Sequence, residues 1–244
     1  MGIDHERYAQ ETPFFLGSRT YPPMLSRALE DRSGTFLEVG AGDGGMLRDL
    51  FDEDRLKSFD RVIALDVAEG RVRRLLRYVP EADARLGDAE HLEIDDASVD
   101  CFFSDQVIEH VTSDDRFARE VRRVLKPDGV AVVGSCLRLP GGWWYHRSGG
   151  RWRIDPTHMR EYESTDDYAA VFSRAGLEVS EIEREAVRFP VAEMVVRAAM
   201  KLRLVPMDQS DVYMRRPFMR RWRPFKMRIP RYYMIYARLH KADR

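Results

Sequence analysis

The stretch FLEVGAGDGG, Phe36 to Gly45, gathers residue types that could hold a nucleotide: a carboxylate at Glu38, then Gly40, Gly42, Gly44 and Gly45. A strand ending in such a turn lets backbone N–H groups and the start of the next helix approach a ligand that bulky side chains would exclude. Two parsings fit. Gly40, Gly42 and Gly45 satisfy the GxGxxG of a pyrophosphate-binding turn, whereas Glu38, Gly40, Gly42 and Gly44 satisfy an acidic-x-GxGxG turn suited to a cationic nucleoside. Asp66, with Val67 beside it, closes the apolar run RVIALDV where a ribose-binding acid is expected for either ligand. Asp88 and Ala89, in LGDAEHL, are expected at the end of a further strand, where a carboxylate could accept from an adenine amino group. A pyrophosphate needs no such acid. Glu38 would repel a pyrophosphate and attract an amino group and a sulfonium. The carboxylates therefore favour S-adenosyl-L-methionine.

Displacement at an activated sulfonium depends largely on alignment, and a base is needed only for a protonated acceptor. His110, His146 and His158 are the candidate bases, because histidine titrates nearest neutrality. His158 lies in DPTHMREY with Asp155, Arg160 and Tyr162, which could orient and deprotonate a hydroxyl. Trp143, Trp144 and Tyr145 could wall an apolar or sugar ring. The competing reading is local: His110 packs at a helix start, while Asp155 and His158 knit their own loop together.

These residues need a frame. Short apolar runs at 35–40, 61–67, 99–107 and 129–136 alternate with helix-like segments, which predicts a parallel sheet covered by helices. Thr112 and Asp115 fit a capping box for a helix whose apolar face is Phe117, Val121, Val124 and Leu125, stopped by Lys126 to Gly129. Ser164 and Asp167 fit a second box before Tyr168, Val171, Phe172 and Ala175, with Gly176 as the stop. Residues 141–163 read as an acceptor-side loop. Strands at about 177–189 and 231–239 bracket a basic insertion, 190–229, within a single domain spanning 1–244.

FLEVGAGDGG, ALDVAEG, LGDAEHLEIDDASVDCFFSDQVIEHV and REVRRVLKPDGVAVVGSC resemble, in that order, the successive motifs of class I S-adenosylmethionine-dependent methyltransferases, especially the broad small-molecule group. The resemblance runs from about Thr35 to Cys136. It implies an α/β, Rossmann-like seven-stranded sheet in the order 3-2-1-4-5-7-6, with the last strand antiparallel, helices on both faces and a lid insertion before that strand. YYMIYARL looks like the last strand. By position, the resemblance puts Gly40, Ala41 and Gly42 along the methionine part, with Glu38 and Gly44 in the same turn. It puts Asp66 and Val67 at the ribose, Asp88 and Ala89 at the adenine, Gln106 beside the sulfonium and His110 near the methyl group. The DPTHMREY segment is similar to one that faces the acceptor in many members. QVIEH resembles the metal site of quinone-biosynthesis O-methyltransferases, where ExxEH supplies ligands. Here Gln106 replaces the first acid, an amide is a poorer cation ligand, and Asp105 would point the other way on a strand. No metal is expected.

Absent motifs narrow the acceptor. Neither Cys101 nor Cys136 stands in a Pro-Cys pair, so the PC nucleophile of cytosine carbon-5 methyltransferases is missing, and SDQV is not the [DN]PP[YF] of adenine or glutamine methyltransferases. Both cysteines lie in apolar runs without a CxxC pair and read as buried thiols. No apolar run nears the roughly eighteen residues of a membrane span, and MGIDHERYAQ lacks the apolar core of a secretory signal, so a cytoplasmic location is expected.

The net charge of −1 hides an asymmetry: from Arg197 onward there are 14 Lys and Arg against 3 Asp and Glu, and before it 26 against 38. VAEMVVRAAMKLRLVP carries an apolar stripe of Val191, Met194, Val195, Ala198, Leu202 and Val205, and YMRRPFMRRWRPFKMR interleaves aromatics with seven basic residues. That segment could pack as a lid, its arginines pairing with the acidic body. It could touch an anionic membrane or lipid-linked acceptor, or grip nucleic acid, the least favoured partner. The expected activity is methyl transfer to a small-molecule or lipid- or glycan-linked acceptor, at oxygen because histidines stand where a base would help. An RNA or protein methyltransferase using the basic tail and a non-catalytic adaptor are the alternatives.

Overall fold

Along β1 (Gly34–Val39) alternate side chains enter opposite apolar layers, so the strand is buried on both sides. Leu37 and Val39 join Phe102, Ala131 and Val133 on one face, while Phe36 joins Cys101, Phe103, Val130 and Val132 on the other. The computed structural model describes residues 21–142, 146–148, 151–153, 155, 157–191 and 225–242, together with residues 6, 195, 199, 202 and 204. Within it, α1 (Pro23–Leu29), β1, α2 (Gly45–Asp52), β2 (Phe59–Asp66), α3 (Glu69–Tyr78), β3 (Asp83–Leu86) and β4 (Val99–Asp105) follow in order. Then come α4 (Asp114–Val124), β5 (Leu125–Arg138), a hairpin of β6 (His146–Ser148) and β7 (Arg151–Arg153), α5 (Thr165–Arg174), β8 (Leu177–Pro190) and β9 (Lys226–Lys241).

The sheet order is β3-β2-β1-β4-β5-β9-β8, which is 3-2-1-4-5-7-6 once the separate hairpin is set aside. Strands β1 to β5 run parallel, and β9 runs antiparallel to both β5 and β8. Buried residues of α4 (Phe117, Ala118, Val121, Val124) and α5 (Tyr168, Val171, Phe172) cover one face, and those of α1 and α2 cover the other. Strand order reverses between β1 and β4, and in such sheets the crevice beyond the carboxyl ends of those two strands is where ligands bind.

Several local expectations shift. The cap of α4 is Ser113, whose Oγ accepts from Arg116 N, while the Thr112 hydroxyl is engaged with Glu90 instead. Ser164 caps α5 as expected, accepting from Asp167 N. Strand β5 begins at Leu125, directly after α4, and already includes Lys126 to Gly129. Strand β3 ends at Leu86, so Asp88 lies in the turn beyond it. The expected loop 141–163 contains the β6–β7 hairpin. Cys101 and Cys136 are both buried thiols, and burial pushes Cys101 up to about 12. Of the apolar stripe before the basic segment, Val191, Val195 and Leu202 are described and are 36%, 60% and 69% exposed. Met194, Ala198, Val205 and residues 205–224 lie outside the described residues, as do Trp143, Trp144 and Tyr145. Among the described residues no helix is long and apolar enough to cross a membrane.

The cap assignment is directly testable. Ser113→Ala should lower the unfolding free energy by about 1 kcal/mol in denaturant titration, and an unchanged midpoint would place the cap elsewhere.

Candidate active site

The glycine loop leaves β1 in left-handed backbone: φ is +80° at Gly40, +59° at Gly42 and +83° at Gly44. Side chains are excluded here by contact as well as by φ, since a Cβ on Gly40 would stand 2.1 Å from Val107 Cγ2 and one on Gly44 2.8 Å from Val79 Cγ2. The amides of Gly40 and Ala41 both donate to the Leu65 carbonyl, at 2.7 and 2.9 Å. One residue on, Gly42 N donates to Asp66 Oδ2 at 2.9 Å, and Asp66 Oδ1 accepts from Ala68 N at 2.9 Å. Asp66 thus ties the loop after β1 to the start of α3, with Arg71 3.9 Å away. The cap of α2 is Gly44, which offers no side-chain cap to that helix start. Glu38 is buried beside this turn and Val67 is exposed past the end of β2.

Asp88 is exposed, with Oδ1 accepting from Glu90 N at 2.8 Å, while Ala89 is buried. Glu90 was not expected to matter. Its carboxylate accepts from Thr112 N, Thr112 Oγ1, Ser113 N and Arg116 Nε, joining the turn after β3 to the turn after β4. Burial pushes its pKa up, but these donors outweigh that and hold it below the ordinary value. Asp43 is likewise buried, with Arg74 Nε at 2.6 Å, and burial raises its carboxyl despite that arginine.

At the end of β4, Gln106 takes φ +58° and turns the chain. Its Nε2 lies 3.0 Å from Met234 Sδ and 3.8 Å from Cys136 Sγ, so its amide reaches across to β5 and β9. Beyond it the two candidate histidines meet. The rings of His110 and His158 pack edge to face with centroids 4.8 Å apart. His110 Nδ1 lies 3.1 Å from Thr157 Oγ1, and Thr157 in turn donates its hydroxyl to Asp155, which also accepts from Thr157 N at 2.8 Å. The Asp155-x-Thr157 turn is a local pattern that the sequence displays. His158 is buried, its Nδ1 3.1 Å from Glu161 Oε1; burial would lower its pKa, but Glu161, Glu109 and Asp155 raise it overall. His110 is the more accessible of the pair.

Two expected acceptor contacts have other partners. Arg160 donates to the carbonyls of Ile108 (2.7 Å), Val111 (2.8 Å) and Thr112 (2.9 Å), so its guanidinium clamps the turn after β4. Tyr162 is in the core, stacked edge to face on Tyr168, with its hydroxyl donating to Asp114 at 3.2 Å. An arginine or tyrosine in a polar loop reads the same in sequence whichever partner it finds.

Residues 37–133 match a methyltransferase domain family. The chain is 33% identical over 145 residues to a probable S-adenosylmethionine-dependent methyltransferase of Mycolicibacterium smegmatis, covering 59% of this chain and 52% of that protein. It is 38% identical over 99 residues to a malonyl-[acyl-carrier protein] O-methyltransferase of Methylococcus capsulatus, covering 38% of this chain and 34% of that protein. The chain thus spans about half the length or less of these relatives. In fold it is similar to the YcgJ protein of Bacillus subtilis, with TM-score 0.63 and 18% identity over 91% of this chain and 98% of that one.

Glu109 gives the site a pH signature. Burial pushes its carboxyl from 4.5 up to about 7, with His158 and the Ser135 hydroxyl opposing that only in part. The folded state therefore binds this proton more readily than the unfolded chain, so stability is full below about 4.5 and falls as pH rises to about 7. The loss is on the order of 3 kcal/mol. Thermal melts in chelator-containing buffer should show that Glu109→Gln removes this slope, and a variant with the wild-type slope would refute the assignment.

Proposed function

Because the chain carries a class I S-adenosylmethionine-dependent methyltransferase domain, we propose that it transfers a methyl group from S-adenosylmethionine to an oxygen of a small-molecule or lipid- or glycan-linked acceptor. Glu38 attracts the cationic amino end of the cofactor, and Gly40, Ala41, Gly42 and Gly44 let its methionine part lie against backbone. Asp66 and Val67 take the ribose, Asp88 and Ala89 the adenine, and Gln106 stands on the sulfonium side. When bound, the cofactor supplies a methyl group already activated as a sulfonium. The protein's task is alignment and, for a hydroxyl or carboxyl acceptor, removal of a proton.

One observation carries the assignment of the base. Since the Thr157 hydroxyl donates to Asp155, its oxygen accepts from His110 Nδ1–H. That fixes the tautomer in which His110 Nε2 holds the lone pair. His158, buried at its edge, holds the ring in place. Oxygen as the acceptor atom is supported by the malonyl-[acyl-carrier protein] O-methyltransferase likeness.

Calorimetry should give S-adenosylmethionine binding that Asp66→Asn weakens by about 10- to 100-fold, the worth of a hydrogen bond to a charged group. His110→Gln should keep that affinity and lower the methyl-transfer rate by about 10²- to 10⁴-fold. Binding of NAD without S-adenosylmethionine would overturn the cofactor reading, and an undiminished rate in His110→Gln would remove the base.

A lipid-linked acceptor is favoured by exposed apolar side chains in and beside the most basic part of the chain: Val195, Leu202, Leu204 and Phe225 are 60% to 72% exposed. Cosedimentation with anionic vesicles at low salt, lost at high salt, is the expected result. No sedimentation at low salt would remove the lipid reading and leave the small-molecule one.

A further inference from the structure

Behind His110, three side chains from separate segments converge. A carboxylate oxygen of Glu109, Sγ of Cys136 and a ring nitrogen of His158 all lie within 4.8 Å of one another. All three residues are buried, Glu109 completely. Glu109 Oε2 accepts from Ser135 Oγ at 2.9 Å, but Glu109 Oε1, equally buried, has no hydrogen-bond partner. An unpartnered carboxylate oxygen away from water is strongly unfavourable and calls for a ligand. With Nδ1 of His158 donating to Glu161 Oε1 at 3.1 Å, Nε2 keeps the lone pair. A carboxylate behind an imidazole in this way is the arrangement that orients metal-bound histidines. The surroundings are anionic too, since Glu109, Glu161 and Asp155 face His158, with Arg138 3.4 Å from Glu161 and His110 beside the ring.

We propose that Glu109, Cys136 and His158 bind a divalent cation of the zinc type, with Ser135 and Glu161 holding two of the ligands from behind. The donor set decides the ion. Sulfur, imidazole and carboxylate together suit zinc, whereas magnesium and calcium take oxygen ligands. Metal–donor lengths of about 2.0–2.3 Å put tetrahedral donor pairs roughly 3.5 Å apart, so the side chains close by about 1 Å on binding. As the bonds form, Cys136 gives up its thiol proton to solvent, and Glu109 and His158 release any proton they hold. The ion ties the turn after β4, strand β5 and the segment before α5 together, and three protein donors leave a fourth position for water or an acceptor atom. Of these donors only Glu109 belongs to the set that the QVIEH resemblance implies: Gln106 is turned to Met234, His110 is held by Thr157, and Cys136 and His158 lie outside that motif. The site stands independently of the methyl-transfer reading.

The test uses the 244-residue chain, stripped with a chelator and titrated with zinc and then with cobalt(II). One zinc per chain should survive dialysis, and the cobalt form should show thiolate-to-cobalt charge-transfer absorption. Cys136→Ser should abolish that band, while Cys101→Ser keeps it. Glu161→Gln should weaken zinc binding by about 10- to 100-fold. A wild-type chain that retains no zinc and gives no thiolate band overturns the proposal, as does a band that survives Cys136→Ser. Should Cys136→Ser fail to fold, Cys101→Ser still decides, because the chain has only two cysteines and loss of the band there would exclude Cys136 as the ligand.

Discussion

The guanidinium of Arg160 is the tie on which the packing of residues 157–162 against the turn after β4 depends. Its three hydrogen bonds to the carbonyls of Ile108, Val111 and Thr112 satisfy a turn that otherwise leaves those oxygens without helix or strand partners. The Glu109 carbonyl adds a fourth link by accepting from Met159 N at 2.8 Å. Held this way, residues 157–162 lie on the turn after β4. That contact brings His158 to His110, buries Glu109, and places Tyr162 against Tyr168 in the core. Charged donors to carbonyls are among the stronger hydrogen bonds, each worth about 1.5–3 kcal/mol, and a planar fork serves several acceptors at once.

The glycine turn is held differently. Strand order reverses between β1 and β4, and beyond the ends of such strands sheets of this kind bind ligands. Leu65 and Asp66, at the end of β2, then hold the glycine turn open from the side: a single carbonyl takes two amides and one carboxylate oxygen takes a third. The glycines matter less for flexibility than for room, because Val107 occupies the space that a side chain at Gly40 would need. The turn after β1 and the turn after β4 are therefore coupled by packing, and the residue that limits one is contributed by the other.

The parallel sheet and the glycine turn were legible in the sequence because their signals are local. Alternating apolar runs, caps three residues before an acid, and glycines at fixed spacing each follow from backbone geometry within a few residues. The sheet order was legible only through resemblance, since no local pattern tells β9 to slot between β5 and β8. Partner choice was the part that sequence hid. Thr112 and Ser113 are both acceptable caps, and Glu90 decides between them from 22 residues away by engaging the Thr112 hydroxyl. Arg160 and Tyr162 looked like acceptor contacts for the same reason, as long polar side chains whose partners lie some 50 residues back in the chain.

The carboxylates inside the molecule are not all alike. Asp66 and Glu90 are buried or nearly so, yet their oxygens are met by several donors, and they serve as struts. Glu109 differs from them, with one oxygen met by Ser135 and the other without a hydrogen-bond partner. A core that needed only apolar filling at that position would favour an apolar side chain, because burying a carboxylate there raises its proton affinity and lowers stability at neutral pH. Struts explain a carboxylate by the groups that already surround it. An unmet oxygen beside a thiol and an oriented imidazole is explained only by a cation or a proton that the site is built to receive.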